Sequence, residues 1–336
     1  MTAPVTLPQR RLGRSGPVVS ALGLGAMGMS DFYGTAATRD DAESLATIEA
    51  AIDAGVTLVN TGDFYGMGHN ERLVGRALAG ARRESVTISV KFGALRTPSG
   101  GWSGFDGRPA AVKNFAAYSL DRLGVDVIDL YQPARVDPAV PLEETVGAVA
   151  DLIREGKVRY LGVSEMNAAQ LRRAHAVHPV TALEIEYSLA TRVLEGELLD
   201  TARELGVGVV AYGALSRGLL ARPTIADYAA GDFRAHLPRF TGENRARNAA
   251  TVARLHELAA SHGMTGAQLA LAWVMSRGDD VVTLFGTTRR ERLAENLGAA
   301  SVTLAPELLA TLDAEFGADA IAGTRYDAFG MRMVVQ

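Results

Sequence analysis

Tyr65 lies in the loop Gly62-Asp-Phe-Tyr-Gly-Met-Gly68, between a short apolar run ending at Asn60 and a segment of helical spacing over 70–79. Lys91 closes the next apolar run, Ile88-Ser-Val-Lys91. A lysine at the end of an apolar strand has to reach the mouth of whatever the strand helps to enclose, because an ammonium inside apolar surroundings is costly. Beside a phenol, that positive charge favours the phenolate and lowers the phenol's pKa from about 10. The pair then makes a proton donor usable near neutral pH, which suits carbonyl reduction, because hydride addition leaves negative charge on oxygen. Taken singly, Tyr65 reads as ordinary loop packing. Lys91 is what gives it a chemical role.

Other chemistries lack their residues. The 336-residue chain has no cysteine, which removes disulfides, thiol nucleophiles and thiolate metal sites together. Gly101-Trp-Ser-Gly-Phe105 lacks the second glycine of a nucleophile elbow. His175 and His178, three apart at a helix end with no carboxylate pattern nearby, read as surface residues, and no metal is expected. Gly23-Leu-Gly-Ala-Met-Gly28 satisfies a dinucleotide fingerprint, but Met29-Ser-Asp-Phe-Tyr-Gly34 follows without helical character, so a Rossmann reading is rejected. Net charge is −4 with arginines interspersed among acids, which argues against a nucleic-acid partner. No signal-peptide core opens the chain and no run approaches a membrane span, so a cytoplasmic enzyme is expected.

Positioning Tyr65 and Lys91 falls to an alternating chain. Short apolar runs at 21–25, 57–60, 86–91, 127–131, 158–163, 182–186, 208–212 and 281–285 are separated by helical patterns at 40–54, 70–79, 110–123, 142–154, 168–175 and 197–205. Eight such runs with no linker predict an α/β fold, a (β/α)8 TIM barrel forming a single domain over 1–336. Residues 10–20, with a Ser-Gly-Pro turn, predict an N-terminal β-hairpin. The stretch 214–244 is too long for a connector and reads as a lid or binding loop. After Pro306 a short helix to about Phe316 leads into a C-terminal extension, 317–336, whose aromatic and methionine content predicts that it packs over the body.

The segment Val59-Asn-Thr-Gly-Asp-Phe-Tyr-Gly66, followed by Asn70-Glu71 and Val74-Gly-Arg-Ala-Leu78, resembles the aldo-keto reductase signature. So do Gly156-Lys-Val-Arg-Tyr-Leu-Gly-Val-Ser164 and Thr288-Arg-Arg-Glu-Arg-Leu-Ala-Glu-Asn296, and the resemblance runs from about Arg10 to Asp313. It implies that the hairpin plugs the barrel bottom and that Tyr65 is the general acid with Lys91 beside it. It implies a cofactor cleft built from Gly25, Met27, Ser164, Glu184, Tyr212, Leu215, Arg217, Gly218, Gly286, Thr287, Thr288, Arg289, Arg292, Glu295 and Asn296. Ser164 would hold the nicotinamide carboxamide, Tyr212 would stack on the ring, and Arg217 and its neighbours would contact the pyrophosphate. Glu184 stands where the family usually has glutamine. The Gly286-Thr-Thr288 turn, a helix N-terminus and the guanidinium forks of Arg289 and Arg292 suit a phosphate dianion, so the resemblance favours NADPH.

Two positions depart from the family pattern. Asn60 stands at the catalytic aspartate, and Ala134, in Leu130-Tyr-Gln-Pro-Ala-Arg-Val-Asp-Pro138, stands at the histidine that donates to the carbonyl oxygen. Asn60 can accept a hydrogen bond from Lys91 but cannot pair its charge. Asp63 is either a compensating carboxylate or a local turn residue. Ala134 enlarges a substrate pocket shared with Phe32, Gln132 and Arg135, the last two being candidate replacement donors. The expected activity is NADPH-dependent reduction of an aldehyde or ketone to an alcohol. The alternative is a barrel that binds nicotinamide nucleotide as a sensor or regulatory subunit with little turnover.

Overall fold

The computed structural model describes residues 6–30, 32–34 and 36–335. Met1–Val5, on which part of the reading of the amino terminus rests, lie outside the described residues, as do Asp31, Thr35 and Gln336. An antiparallel hairpin, β1 (Gln9–Arg11) and β2 (Val18–Ser20), opens the chain with Arg10 opposite Val19. The strands that follow are β3 (Leu22–Gly25), β4 (Leu58–Gly62), β5 (Thr87–Phe92), the short pair β6 (Ala94–Arg96) and β7 (Trp102–Phe105), then β8 (Ile128–Pro133), β9 (Val158–Ser164), β10 (Val180–Glu186), β11 (Gly208–Tyr212) and β12 (Val281–Gly286). β3, β4, β5, β8, β9, β10, β11 and β12 close, in that order, into a parallel barrel, the TIM-barrel architecture expected.

Helices α1 (Asp41–Asp53), α2 (His69–Ala77), α3 (Pro109–Leu123), α4 (Leu142–Arg154), α5 (Ala168–Val177), α6 (Glu197–Leu205), α7 (Gly242–Ser261), α8 (Gly266–Met275), α9 (Arg290–Leu297) and α10 (Pro306–Glu315) follow or surround the strands, and a short α11 (Ala328–Met331) lies in the C-terminal extension. Their ends carry local signals. Asn167 with Gln170 and Thr265 with Gln268 form reciprocal capping boxes, while Pro109 and Pro306 occupy first turns where no backbone donor is needed.

Because barrel strands bury both faces, they read as continuous apolar runs. One core lies between the strands and the helices. A second fills the barrel's lower interior with Leu58, Leu130, Ala182, Val210, Val282 and Leu284, and the hairpin contributes Leu12 and Val19 to it. The hairpin therefore plugs the bottom and leaves the upper interior for polar groups.

Periodicity does not predict the β6–β7 hairpin, whose strands are only a few residues each, or α7 and α8. Helix α7 opens on the polar run Gly242-Glu-Asn-Arg-Ala-Arg-Asn248, and its buried apolar stripe begins only at Val252. Among the described residues, no helix is long and apolar enough to cross a membrane.

Candidate active site

The loop after β4 holds Tyr65 through a clamp built by residues of the signature. Asn70, fully buried at the start of α2, donates to Ala26 O (2.8 Å) and Ser30 Oγ (2.7 Å), and accepts from Thr61 Oγ1 (2.6 Å). Glu71 receives Arg122 at 3.1 Å from α3. Between them Gly66 adopts φ +55, and a Cβ there would lie 3.1 Å from Ser30, so glycine both permits the turn and lets the two loops touch. Tyr65 is thereby fixed, 5% exposed, against Phe64, Ala94 and Ala134.

Lys91 Nζ lies 5.4 Å from the Tyr65 ring centroid, which brings the predicted pair together. Lys91 donates to Asn60 Oδ1 at 2.5 Å, as expected, and to Glu184 Oε1 at 2.8 Å. The ammonium therefore has a carboxylate, but on β10 and not on β4. Asn60 Nδ2 donates to the other oxygen of Glu184 (2.7 Å) and to Ser89 Oγ (3.1 Å), and Gln132 Nε2 donates to the same Glu184 oxygen and to Ser89 Oγ (3.0 Å). Sequence reading missed Ser89, although alternation carries its signal, since it stands two residues before Lys91 on one strand and so on the same face. Gln132 fits because β9 has glycine opposite it: a Cβ on Gly162 would lie 2.8 Å from Gln132 Oε1. Burial pulls the Lys91 pKa down, Glu184 opposes this, and Arg135 adds to it.

Lys91 has its charge partner in Glu184, at 2.8 Å. Glu184, expected at the cofactor, spends its carboxylate on Lys91, Asn60 and Gln132, an arrangement that only the closed barrel brings about, since Lys91 and Glu184 are far apart in sequence. Asp63 does not compensate: its carboxylate accepts from Gly93 N at 3.4 Å, and burial and the charge of Glu71 push its pKa well up. Of the two candidate replacement donors, Gln132 has its amide N–H groups directed to Ser89 and Glu184, which leaves Arg135. Arg135 donates to Ala134 O at 2.5 Å.

Above Tyr65, aromatic rings form a wall. Phe32 meets Tyr65 edge-on at 5.8 Å, and contacts Trp102 of the β6–β7 hairpin at 5.7 Å and Phe233 of the long loop at 5.8 Å. Phe32 holds φ +71, an unusual value for a non-glycine residue, and its carbonyl accepts from Phe233 N at 2.8 Å. The 214–244 loop thus reaches this wall through Phe233. Met27, half-buried, packs against the Tyr65 cluster in a 3-10 turn, which agrees with rejection of a Rossmann helix.

On the opposite side, Ser164 ends β9 with a buried Oγ that has no hydrogen-bond partner among the described residues. Tyr212, half-buried at the end of β11, donates to Glu165 Oε1 at 2.8 Å. Leu215, Ser216, Arg217 and Gly218 follow in a tight turn with positive φ at Ser216, Arg217 and Gly218, and Arg217 pairs with Glu186 at 3.2 Å.

The C-terminal extension packs here. Arg325, fully enclosed, makes a two-pronged pair with Glu165 at 2.8 and 2.7 Å, and Tyr326 OH is 3.3 Å from Tyr212 OH. Sequence reasoning missed Arg325, Tyr326 and Glu186, because an isolated arginine in a tail carries no local signal. Although burial alone would raise it, the Glu165 pKa is held below its usual value by Arg325. A lowered folded-state pKa gives stability that is present above the ordinary carboxylate range and is lost as pH falls through the folded value. Arg325→Met should therefore destabilise the protein at pH 7 by about 3 kcal/mol, because it strands a buried carboxylate. The loss should shrink in acid, and denaturant titrations at pH 7 and pH 4 check it.

At the barrel's far edge, Gly286 pairs with Gly25, and Thr287 Oγ1 accepts from Arg289 N at 3.2 Å just before α9. The free N–H of Arg290 is taken by Glu43 at 3.0 Å, and the Arg290 guanidinium pairs with the same carboxylate at 2.8 Å. Arg289 and Arg292 are exposed. Arg292 pairs with Glu295 at 2.7 Å, while Asn296 is buried.

The aldo/keto reductase family profile matches residues 21–315. The chain belongs to the aldo-keto reductase family. Among solved structures similar to this aldo-keto reductase is the glycerol dehydrogenase AKR11B4 from Gluconobacter oxydans, at TM-score 0.80 and 28% identity, covering 96% of this chain and 99% of that one. Another is the aldo-keto reductase AKR11C1 from Bacillus halodurans in its holo form, at TM-score 0.76 and 27% identity over 96% and 99% of the two chains. The thermostable aldo-keto reductase Tm1743, solved with the inhibitor epalrestat, matches at TM-score 0.74 and 30% identity over 93% and 100%. Family membership makes this chain an oxidoreductase of a class that works with nicotinamide cofactors.

Proposed function

We propose that this aldo-keto reductase reduces an aldehyde or ketone to an alcohol with NADPH, Tyr65 delivering the proton and Lys91 tuning it. The observation that carries the reading is Lys91 Nζ held between Asn60 Oδ1 and Glu184 Oε1, 5.4 Å from the Tyr65 ring. An ammonium anchored this way keeps its charge beside the phenol, which favours release of the phenolic proton as negative charge develops on the substrate oxygen. The orphaned Ser164 Oγ fits a carboxamide, and the half-buried Tyr212 ring beside it fits a planar nicotinamide. When bound, the nicotinamide supplies the hydride. Ser164 and Tyr212 would orient it, Arg217 and Gly218 would meet the pyrophosphate, and Gly25, Met27, Leu215, Gly286, Thr287, Thr288 and Asn296 would line its cleft.

Single-turnover mixing of the NADPH-loaded protein with a panel of carbonyl compounds tests the reading. Loss of the reduced-nicotinamide absorbance with at least one of them is the expected result. Tight NADPH binding without oxidation by any would instead indicate a sensor.

Preference for NADPH is assigned to Arg289 and Arg292. The Arg292–Glu295 pair is exposed and spaced i,i+3, a kind of pair worth little, so a phosphate can replace the carboxylate at small cost. Arg292→Ala should weaken NADPH binding roughly ten- to a hundredfold while changing NADH binding much less. Equal losses for both nucleotides in a fluorescence titration would reject the assignment.

A further inference from the structure

Around the site mouth, cations are matched to carboxylates: Lys91 to Glu184 (2.8 Å), Arg217 to Glu186 (3.2 Å), Arg239 to Glu186 (3.4 Å), Arg234 to Asp232 (2.7 Å) and Arg325 to Glu165 (2.7 Å). Arg135 differs from these. Among the described residues it has no carboxylate within 4.0 Å, and its guanidinium bonds only to the carbonyl of its neighbour Ala134 (2.5 Å) and, loosely, to Tyr326 OH (3.4 Å). A half-buried guanidinium carries five donors in a planar fork, and two neutral acceptors leave most of that capacity unfilled, while the nearest carboxylate to act on its charge, Glu165, does so through space and is already held by Arg325.

Its position limits what could match it. Edge contacts run from Tyr65 to Phe32 (5.8 Å) and from Phe32 to Phe233 (5.8 Å), a tilted one joins Phe233 to Tyr326 (6.5 Å), and the Tyr326 hydroxyl reaches Arg135. Ala134 then closes the circuit, because it packs in one cluster with Tyr65. The perimeter is aromatic on one side and has, beside Ala134, the position where the family's histidine would stand, a guanidinium with no carboxylate in direct contact among the described residues.

We propose that Arg135 is a specificity residue, and that this enzyme's substrates are aromatic carbonyl compounds carrying a carboxylate, which Arg135 grips by a two-pronged hydrogen bond while the rings pack the arene. The inference rests on the reductase reading above. In the reaction the carbonyl carbon gains the hydride, its oxygen gains the proton from Tyr65, and the carboxylate stays unchanged as a handle. Arg135 also bears on Lys91, whose pKa it helps to lower, so a bound carboxylate relieves repulsion between the two cations.

The test compares kcat/KM of the full chain with NADPH for 2-, 3- and 4-carboxybenzaldehyde against the methyl ester of each, which matches size and reactivity but lacks the charge. At least one acid should exceed its ester by about ten- to a hundredfold, as charge-assisted hydrogen bonds allow. That ratio should fall to within about twofold in Arg135→Leu and lie between in Arg135→Lys. Ratios near one in the wild-type protein, or a preference that survives Arg135→Leu, would overturn the proposal. If no aldehyde is turned over, the reductase reading fails on its own, and calorimetric binding of the same acids and esters to the NADP+ complex reads the anion site directly. Tighter binding of the acid that depends on Arg135 then supports the site, and equal affinities reject it.

Discussion

Replacing Tyr65 with phenylalanine should lower turnover about 10²-fold or more while NADPH binds nearly as before. The ring's packing against Phe64, Ala94 and Ala134 survives the change, so the fold and the aromatic wall are kept and only the hydroxyl is lost. The expected signature is a fall in kcat with little change in the cofactor's dissociation constant. Turnover at the wild-type rate would mean that another group delivers the proton. Arg135 could not take that role at neutral pH, because a guanidinium does not give up its proton there.

Removing the carboxylate from Glu184 should be comparably severe for a different reason. In Glu184→Ala, the buried Lys91 keeps only the neutral Asn60 oxygen, and stranding a buried charge in this way costs about 3–5 kcal/mol or forces the ammonium to deprotonate. Either result harms the acid: a neutral lysine no longer favours the phenolate, and a destabilised strand end moves Tyr65's neighbour. Thermal unfolding should shift down, and the alkaline side of the kcat/KM profile should move to lower pH as Lys91 loses its proton earlier. Unchanged stability with an unchanged pH profile would show that Glu184 is not the counterion.

Much of this was readable in the chain. The eight apolar runs predict the barrel, because a parallel strand buried on both faces has no polar alternation to hide it. Lys91 is legible because it closes such a run, and Tyr65 because it stands in the glycine-flanked loop that follows one. The partner of Lys91 was not. Asn60 and Glu184 each look like a loss when read against the family pattern, an amide for an acid and an acid for an amide. Their compensation becomes visible only when barrel closure brings β4 and β10 to the same ammonium. Arg325 and Tyr326 were illegible for a related reason: a tail residue's partners are fixed by long-range docking, which leaves no period in the sequence. The Arg290–Glu43 pair likewise joins α9 to α1 across the barrel's closing seam.

The charge that anchors Lys91 sits on Glu184 instead of at position 60, and a double-mutant cycle between the two positions reads that exchange. Asn60→Asp alone puts a second carboxylate where an amide now donates to Glu184 at 2.7 Å, and two carboxylates at that distance cannot both stay ionised. Glu184→Gln alone removes the counterion. The double variant Asn60→Asp/Glu184→Gln restores one carboxylate and one amide around the ammonium. Each single change should lower kcat/KM at pH 7 by roughly tenfold or more, and the double should recover most of the loss, a coupling of about 1.5–3 kcal/mol. Losses that simply add in the double variant would show that Glu184 does not stand in for a carboxylate at position 60.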